Sequence, residues 1–203
     1  MKTRLFIATL FVSVLTAAAP EAVELSGSTE FEAPTNMPAV SVKGKSNAMQ
    51  GRLTVSRDAD GILLERLEAW TPVKSLATGM AVRDEHMRKY IFTTADGQAP
   101  DLRFIAEKVE CPGGAGAQEF TCQVSGNLTI RGIARPFGVN LKVKQAGGPL
   151  SFKAAGDAIV KLSDYEISPP TQFGVKVANE VKLRLEFTSR PGPAETAVSR
   201  GGR

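Results

Sequence analysis

A two-residue alternation of apolar and polar side chains recurs along most of the chain and limits what it can fold into. In residues 120–130, for example, Cys122, Val124 and Leu128 share one face, and polar residues occupy the other. Because successive side chains of a strand point to opposite faces, this period predicts antiparallel strands with one buried face. The segments with the clearest alternation are 23–31, 120–130, 137–144 and 181–188.

Weaker strand signals fill the spaces between these segments. Turn sequences separate them, among them DADG at 58–61, RGIARP at 131–136 and AGGP at 146–149. About nine short strands joined by such turns predict an all-β sandwich or closed barrel. The adjacent prolines of SPPTQFG (168–174) predict a loop, because proline cannot join a central ladder. The weaker strand segments are 40–45, 51–56, 62–70, 102–110 and 150–162.

One stretch, residues 79–91, breaks the alternation and predicts the single helix of the fold. It contains His86, the only histidine of the chain, directly after Asp84 and Glu85. At helical spacing one side of this segment carries a narrow apolar stripe beside a charged pair. The stripe predicts a helix that closes one end of the strand structure, either as simple core closure or as a gate over a ligand cavity. The residues on this side are Met80, Arg83, Asp84, Met87, Tyr90 and Ile91.

The sequence offers little for catalysis or metal binding. Any Ser–His–Asp or Cys–His arrangement would have to use His86, whose helical neighbours are charged. Asp84, Glu85 and His86 are consecutive, so a regular helix cannot aim all three at one metal ion. The GGAG stretch at 113–116 lacks the Lys-Ser/Thr of a phosphate-binding loop and predicts a hairpin loop. We therefore expect no enzymatic activity and no metal site; a hydrolase that uses His86 is the least favoured hypothesis.

The two ends of the chain differ in composition from its body. Residues 1–19 combine Lys2 and Arg4 with an apolar run over 5–15 and small residues at 17–19, which is typical of a secretory signal peptide cut after Ala19 or Ala22. No later apolar run is long enough to span a membrane as a helix. Residues 189–203 show no apolar periodicity and predict a disordered tail. The expected organisation is a signal peptide (1–19), one β-barrel or sandwich domain (20–188) and a tail (189–203).

Export bears on Cys111 and Cys122, the only two cysteines. In an oxidising compartment two cysteines most simply pair, and the segment between them, PGGAGAQEFT, has the composition of a hairpin loop. A disulfide is therefore predicted to join the two arms of this hairpin. A redox-active pair is less favoured, because the spacing is not Cys-x-x-Cys.

The charge distribution argues against nucleic-acid binding. The chain carries 25 Lys and Arg against 21 Asp and Glu. Five of the basic residues and one acidic residue lie in 1–19 and 189–203, so the predicted domain carries equal numbers of the two signs. Nucleic-acid binding requires a concentrated basic face, which a neutral domain does not predict.

Two separated segments of the chain carry distinctive motifs. The first, SLATGMAVRDEHMRKYIF (75–92), contains a threonine-glycine turn and an R-D-x-H-M helix. The second, VSGNLTIRGIARPFGVNLKV (124–143), follows the pattern G-x-L-T-I-x-G-x-x-[RK]-P. Together they resemble the motifs of the YceI-like polyisoprenoid-binding family, and the resemblance extends more weakly over 25–187. The matching positions are Thr78, Gly79, Arg83, Asp84, His86, Met87, Gly126, Leu128, Thr129, Ile130, Gly132, Arg135 and Pro136.

The resemblance implies a single lipocalin-like antiparallel β-barrel of about eight to nine strands with the helix at one end. It also implies export to the periplasm and an isoprenoid chain, of a polyprenyl lipid or a quinone, held in the interior. Two alternatives stay open: a packed, non-enzymatic scaffold that acts through an unknown protein partner, and the His86 hydrolase. The residues expected to line the ligand site are Phe104, Leu128, Ile130, Phe137, Val139, Leu141, Leu183 and Leu185 on strands, and Met80, Met87 and Tyr90 on the helix.

Overall fold

Eight antiparallel strands close into one barrel in the computed structural model, which describes residues 20–58, 61–112, 117–148 and 150–191. The first seven barrel strands are β1 (Glu21–Pro34), β2 (Ser41–Asp58), β3 (Gly61–Thr71), β4 (Leu102–Glu110), β5 (Glu119–Ile130), β6 (Ile133–Gly148) and β7 (Ser151–Lys161). A separate two-stranded ribbon follows, made of β8 (Thr171–Gln172) and β9 (Val175–Lys176), and β10 (Glu180–Pro191) completes the barrel. The predicted all-β antiparallel barrel is confirmed.

Each of the strands β1 to β6 pairs with the next along the chain, and β10 pairs with both β7 and β1 to close the sheet. The closing register sets Leu25 opposite Ser189 and Phe31 opposite Leu183. The outward faces carry exposed ion pairs, such as Arg184 with Glu186 at 2.9 Å. Pairs of this kind contribute about 0–1 kcal/mol each, so burial of the inward face supplies most of the stabilisation.

The two strands predicted at 40–45 and 51–56 are one continuous strand, β2. Gly27 of β1 pairs with Met49, whereas Thr29, two residues on, pairs with Ser46, three residues back. The extra residue in β2 is a β-bulge, and it sets both Ser46 and Met49 inside the barrel. A bulge interrupts the two-residue alternation, which is why the sequence pattern shows a gap there.

The hairpin between β5 and β6 explains the second sequence motif. Arg131 and Gly132 have φ values of 54° and 77° and form the two-residue turn. β6 therefore begins at Ile133, four residues before the predicted start. Pro136 lies where β6 pairs with β5 but not yet with β7, a strand position that tolerates proline.

The helical segment begins two residues later than the sequence predicts. Met80 is extended, with φ −130° and ψ 110°, and α1 spans Ala81–Met87. A π-helical turn, Arg88–Phe92, continues it. Two 3₁₀ turns, Val73–Ser75 and Leu162–Tyr165, flank the barrel on the same side.

The two ends of the barrel differ in their connections. The end that we call the open end carries the connections 34–41, 71–102, 130–133 and 161–180, and so holds α1 and the β8–β9 ribbon. The opposite, closed end is where β1 starts and β10 finishes. Its core contains some of the most deeply buried side chains of the described residues. This closed-end cluster is Val23, Leu25, Leu53, Val55, Leu67, Cys122, Val124, Val139, Leu141, Val143, Leu150 and Ala154.

The predicted disulfide between Cys111 and Cys122 is confirmed and joins β5 to the residue that follows β4 at the closed end. The residues between them at 113–116 lie outside the described part of the chain. β10 continues to Pro191, three residues into the predicted tail, because Ser189 is buried and bonded: its Oγ accepts from Phe152 N at 2.7 Å and donates to Leu150 O at 2.8 Å. The rest of that tail and the predicted signal peptide (1–19) also lie outside the described residues.

Candidate functional site

The barrel interior contains a cavity of about 870 Å³ that reaches from the open end to the closed-end cluster. Its deepest lining residues, among them Leu25, Val124 and Leu141, belong to that cluster. Ten of the eleven residues expected from the sequence line it, and their contact with a ligand stays a prediction. These residues are Phe104, Leu128, Ile130, Phe137, Val139, Leu141, Leu183, Leu185, Met87 and Tyr90.

Met80, the eleventh residue, does not line the cavity. Its side chain is 57% exposed, because Met80 precedes the helix in extended conformation and helical spacing does not apply to it. Several further residues line the cavity beyond those that the sequence predicts. Phe31 and Phe187 lie on the predicted alternating faces, so the alternation pattern is sufficient to identify them. Ile167 and Val177 lie in the 161–180 connection, where no periodicity marks them.

The cavity wall is mostly aliphatic and aromatic. Phe104 and Phe137 meet edge to face, with ring centroids 5.7 Å apart. Both contact the closed-end cluster and also a second buried cluster at the open end, which includes Leu128, Ile130 and Val160. Two buried threonines of the wall form a hydrogen bond with each other: the Oγ1 atoms of Thr29 and Thr71 lie 3.1 Å apart. Among the described lining residues, Arg83 is the only one with a fixed charge.

A hydrogen-bond network built on Thr78 fixes α1 over the open end. Asp84 accepts hydrogen bonds from Thr78 N, at 2.7 Å, and from Thr78 Oγ1. Arg83 donates from Nε to Thr78 Oγ1 at 2.8 Å and from Nη2 to Thr78 O at 2.9 Å. The neighbouring Ala77 pairs with Lys45 of β2 in both directions at 2.9 Å. The R-D pair of the helix motif therefore links the helix to the barrel wall through the Thr-Gly turn.

Asp84 is the buried charge of this network. The hydroxyl and the backbone N–H of Thr78, with the nearby cations Arg88 and Arg83, hold its pKa below the ordinary value of 3.8, against an opposing effect of burial. The carboxylate is therefore ionised at neutral pH, and its hydrogen bonds offset the cost of burying it.

His86 lies on the exposed side of the network and still lines the cavity mouth. Its ring meets that of Tyr90 nearly edge on, with centroids 5.6 Å apart. Tyr90 also carries Lys89 Nζ 5.3 Å above its ring centre. Within the described ranges, no three His, Cys, Asp or Glu side chains lie together in a way that could hold a metal ion.

Comparison with known proteins assigns the fold to a family. A family model, the YceI-like domain, matches residues 21–189. The chain belongs to the YceI-like domain family. The matched residues include β1 to β7, the open-end connections and β10 as far as Ser189. No curated protein sequence matches the chain at a significant level.

Solved structures share this YceI-like fold at low sequence identity. A polyisoprenoid binding domain from Saccharophagus degradans aligns over 85% of this chain and 99% of its own, with 17% identity and a TM-score of 0.63. Burkholderia cenocepacia BcnA aligns over 80% and 96%, with 18% identity and a TM-score of 0.59. The YceI protein of Campylobacter jejuni aligns over 78% and 89%, with 19% identity and a TM-score of 0.58.

The motif residues of this YceI-like domain have mainly structural contacts. Gly126 lies so close to β4 that a Cβ would come within 2.1 Å of Ile105 O. Arg135 Nε donates to Asp164 O at 2.8 Å and ties the turn 162–165 to β6. Tyr165 beside it is buried, and burial with the nearby Asp164 raises its pKa to about 12. The motif thus shapes the open end around the cavity.

Proposed function

We propose that this YceI-like protein is exported to the periplasm and holds an amphiphile with an isoprenoid chain in its barrel. The chain of a polyprenyl lipid or of an isoprenoid quinone would lie in the cavity, and its headgroup would lie at the open end. The protein acts as a carrier or store of this lipid and catalyses no reaction on it.

The observation that carries the proposal is the cavity itself. Its volume of about 870 Å³ falls within the range of about 300–1,000 Å³ that is usual for small-molecule sites. An apolar chain that leaves water for such a wall gains roughly 25 cal/mol for each Å² removed from solvent. The apolar aromatic side chains of Phe104 and Phe137 in the wall suit a chain of branched isoprene units better than a polar ligand. A barrel packed solid, as the scaffold alternative requires, would leave no such volume.

The polar groups of the site lie at the open end, where a headgroup would lie. Arg83, Thr78 and His86 line the cavity beside α1. Thr78 takes two of the five N–H donors of the Arg83 guanidinium, which leaves donors for an anionic or carbonyl headgroup. This arrangement supports binding with the chain inward and the headgroup at α1.

Two features support export. Residues 1–19 have the composition of a secretory signal peptide. The Cys111–Cys122 disulfide is the kind of bond that persists in an oxidising compartment such as the periplasm.

Extraction of the protein purified from its native host tests the proposal. Organic extraction followed by mass spectrometry is expected to release a stoichiometric isoprenoid lipid from the wild type. Leu183→Trp fills the cavity from β10 and is expected to abolish this release. Lys182→Trp, on the outer face of the same strand, is the matched control and retains the lipid. Absence of lipid from the wild type, or equal amounts from both variants, contradicts the proposal.

A further inference from the structure

An exposed apolar rim surrounds the mouth of the cavity. Phe173, at the tip of the β8–β9 ribbon, is 97% exposed, and Tyr90 of the helical segment is 62% exposed. Val40 and Met37 in the 34–41 connection are also exposed. Phe173, Val40 and Tyr90 line the cavity as well, so the rim is continuous with the interior. We refer to these four residues as the mouth rim.

The ribbon holds Phe173 outward in an unfavourable conformation. Phe173 and Gly174 have φ values of 50° and 81° and form the two-residue turn between β8 and β9. Asparagine or glycine usually takes the first position of such a turn, because a bulky side chain is disfavoured at positive φ. Neither the turn nor the core therefore accounts for a phenylalanine at this position.

The ribbon is anchored rather than loose. Asn36 of the neighbouring connection accepts from Lys176 N at 2.8 Å and donates from Nδ2 to Gly174 O at 3.2 Å. Asn36 N also donates to Lys176 O at 2.9 Å. These bonds join the two connections that carry Phe173, Val40 and Met37, and so keep the apolar tips side by side at the mouth.

The two connections that carry Phe173, Val40 and Met37 contain no charged residue near these tips. Residues 35–42 (TNMPAVSV) and 167–175 (ISPPTQFGV) are uncharged in a chain whose residues are 23% charged. Tyrosine beside lysine, as in Tyr90 and Lys89, is the composition found at the level of lipid headgroups. The four rim residues themselves are uncharged, which favours an apolar, sequence-independent contact over a protein partner oriented by ion pairs.

We propose that the mouth rim docks on the surface of a phospholipid bilayer and inserts Phe173 below the headgroups, so that the cavity opens onto the membrane. The inference rests on the proposed function in one respect: a water-insoluble isoprenoid chain has to pass between a bilayer and the cavity, and the rim is the only described surface that joins the two. Docking through apolar tips is reversible, since a few buried side chains give only weak membrane affinity.

Flotation with phosphatidylcholine vesicles tests the docking. The wild-type protein is expected to float with the vesicles, and high salt is expected to leave the bound fraction unchanged, because the rim is uncharged. Phe173→Asn removes the apolar tip, suits the turn better and is expected to lower the vesicle partition coefficient about tenfold or more. Ile159→Thr, which removes an exposed apolar side chain (57%) from the outer wall of β7, is the control and is expected to float like the wild type. Both variants carry the same N terminus, so any membrane affinity of residues 1–19 affects them equally.

Three results overturn the proposal: no flotation of the wild type, equal flotation of Phe173→Asn, or loss of flotation in high salt. A dimer that Phe173→Asn dissociates, without vesicle binding by the wild type, assigns the rim to a second copy of the chain and also overturns it. The proposed function fails separately. If the wild-type protein floats but yields no extractable lipid, the docking proposal stands and the proposed lipid store is rejected. If it yields lipid but does not float, the lipid store stands and the docking proposal is rejected.

Discussion

The two ends of the barrel are built from the same eight strands and still differ in what they enclose. At the closed end, inward side chains such as Val23 and Val55 are fully buried and pack against one another. Toward the open end, some of the inward side chains that line the cavity, such as Phe31 and Leu183, are only half-buried. The alternating pattern of β10 is the same along its length. The connections therefore make the difference, since those of the open end are long enough to hold α1 and the ribbon away from the axis.

This contrast separates stability from function along the barrel axis. The closed end has the larger buried cluster and the disulfide. At the open end fewer inward side chains pack against one another, and a cavity remains. Binding sites are commonly less stable than a packed core for this reason. Variants matched across the two ends therefore break or sharpen the comparison.

The largest contrast is expected from two leucine truncations. Leu53→Ala removes a side chain that is 6% exposed in the closed-end cluster and is expected to cost about 2–5 kcal/mol of the free energy of unfolding. Leu183→Ala removes a side chain that already faces the cavity, so less packing is lost, and we expect less than half of that cost. Urea unfolding of the ligand-free protein measures both. Equal costs would mean that the open end is packed as tightly as the closed end.

Loss of the disulfide is expected to have the next largest effect. The bond closes a loop with a sequence separation of 11 at the closed end, and the double variant Cys111→Ala/Cys122→Ala is expected to lose roughly 2–3 kcal/mol. Lipid retention is expected to be unchanged, because the bond lies away from the cavity mouth. Thiol labelling of the unreduced, denatured wild type is expected to find no free thiol. Lipid loss without destabilisation would place the bond in the binding site instead.

A charge introduced on either side of the helical segment tests whether this segment packs on the barrel. Met87→Asp sets a carboxylate against the apolar wall, at a cost of about 1–3 kcal/mol and with loss of bound lipid. Lys89→Asp, on the exposed side of the same segment, is the control and is expected to change the melting temperature little. If the protein tolerates both changes equally, the helix does not pack on the barrel.

The smallest effect is expected from Asp84. Asp84→Asn weakens the bonds from Thr78 and is expected to cost about 1 kcal/mol, whereas Asp96→Asn, in an exposed turn, is expected to cost less. The pKa of Asp84 is lowered in the folded state, so its contribution is present above the ordinary value of 3.8 and is lost as the pH falls through the lower folded pKa. Stability measured between neutral and acid pH is therefore expected to fall less in Asp84→Asn than in the wild type. An identical acid dependence would show that the network contributes nothing.

The sequence predicts the barrel well where alternation is regular and fails where local geometry overrides it. β5 and β10 follow their patterns closely. The bulge in β2 breaks the period, so one strand looks like two. Helical spacing assigns Met80 to the helix, but Gly79 has a positive φ, Met80 is extended, and the helix begins only at Ala81.

The site is predictable to a similar extent. The cavity walls follow from the inward faces of the strands, so most of the expected lining residues are in place. The lining from the 161–180 connection is not predictable, because its contribution depends on the tertiary path of a loop rather than on any period. The β8–β9 ribbon at 171–176 is hidden for the same reason: two residues per strand are too few to show alternation.

Trp70 offers the most direct test of the central claim that an isoprenoid chain occupies the open-end cavity. It is the only tryptophan of the chain, and it lies in β3, one of the strands that form the cavity wall. Lipid-free protein is titrated with an isoprenoid chain that carries a fluorescent acceptor, and energy transfer from Trp70 is recorded. The account predicts transfer that saturates and that an unlabelled polyprenol reverses. Transfer that is absent, or that rises without saturation and resists competition, would contradict it.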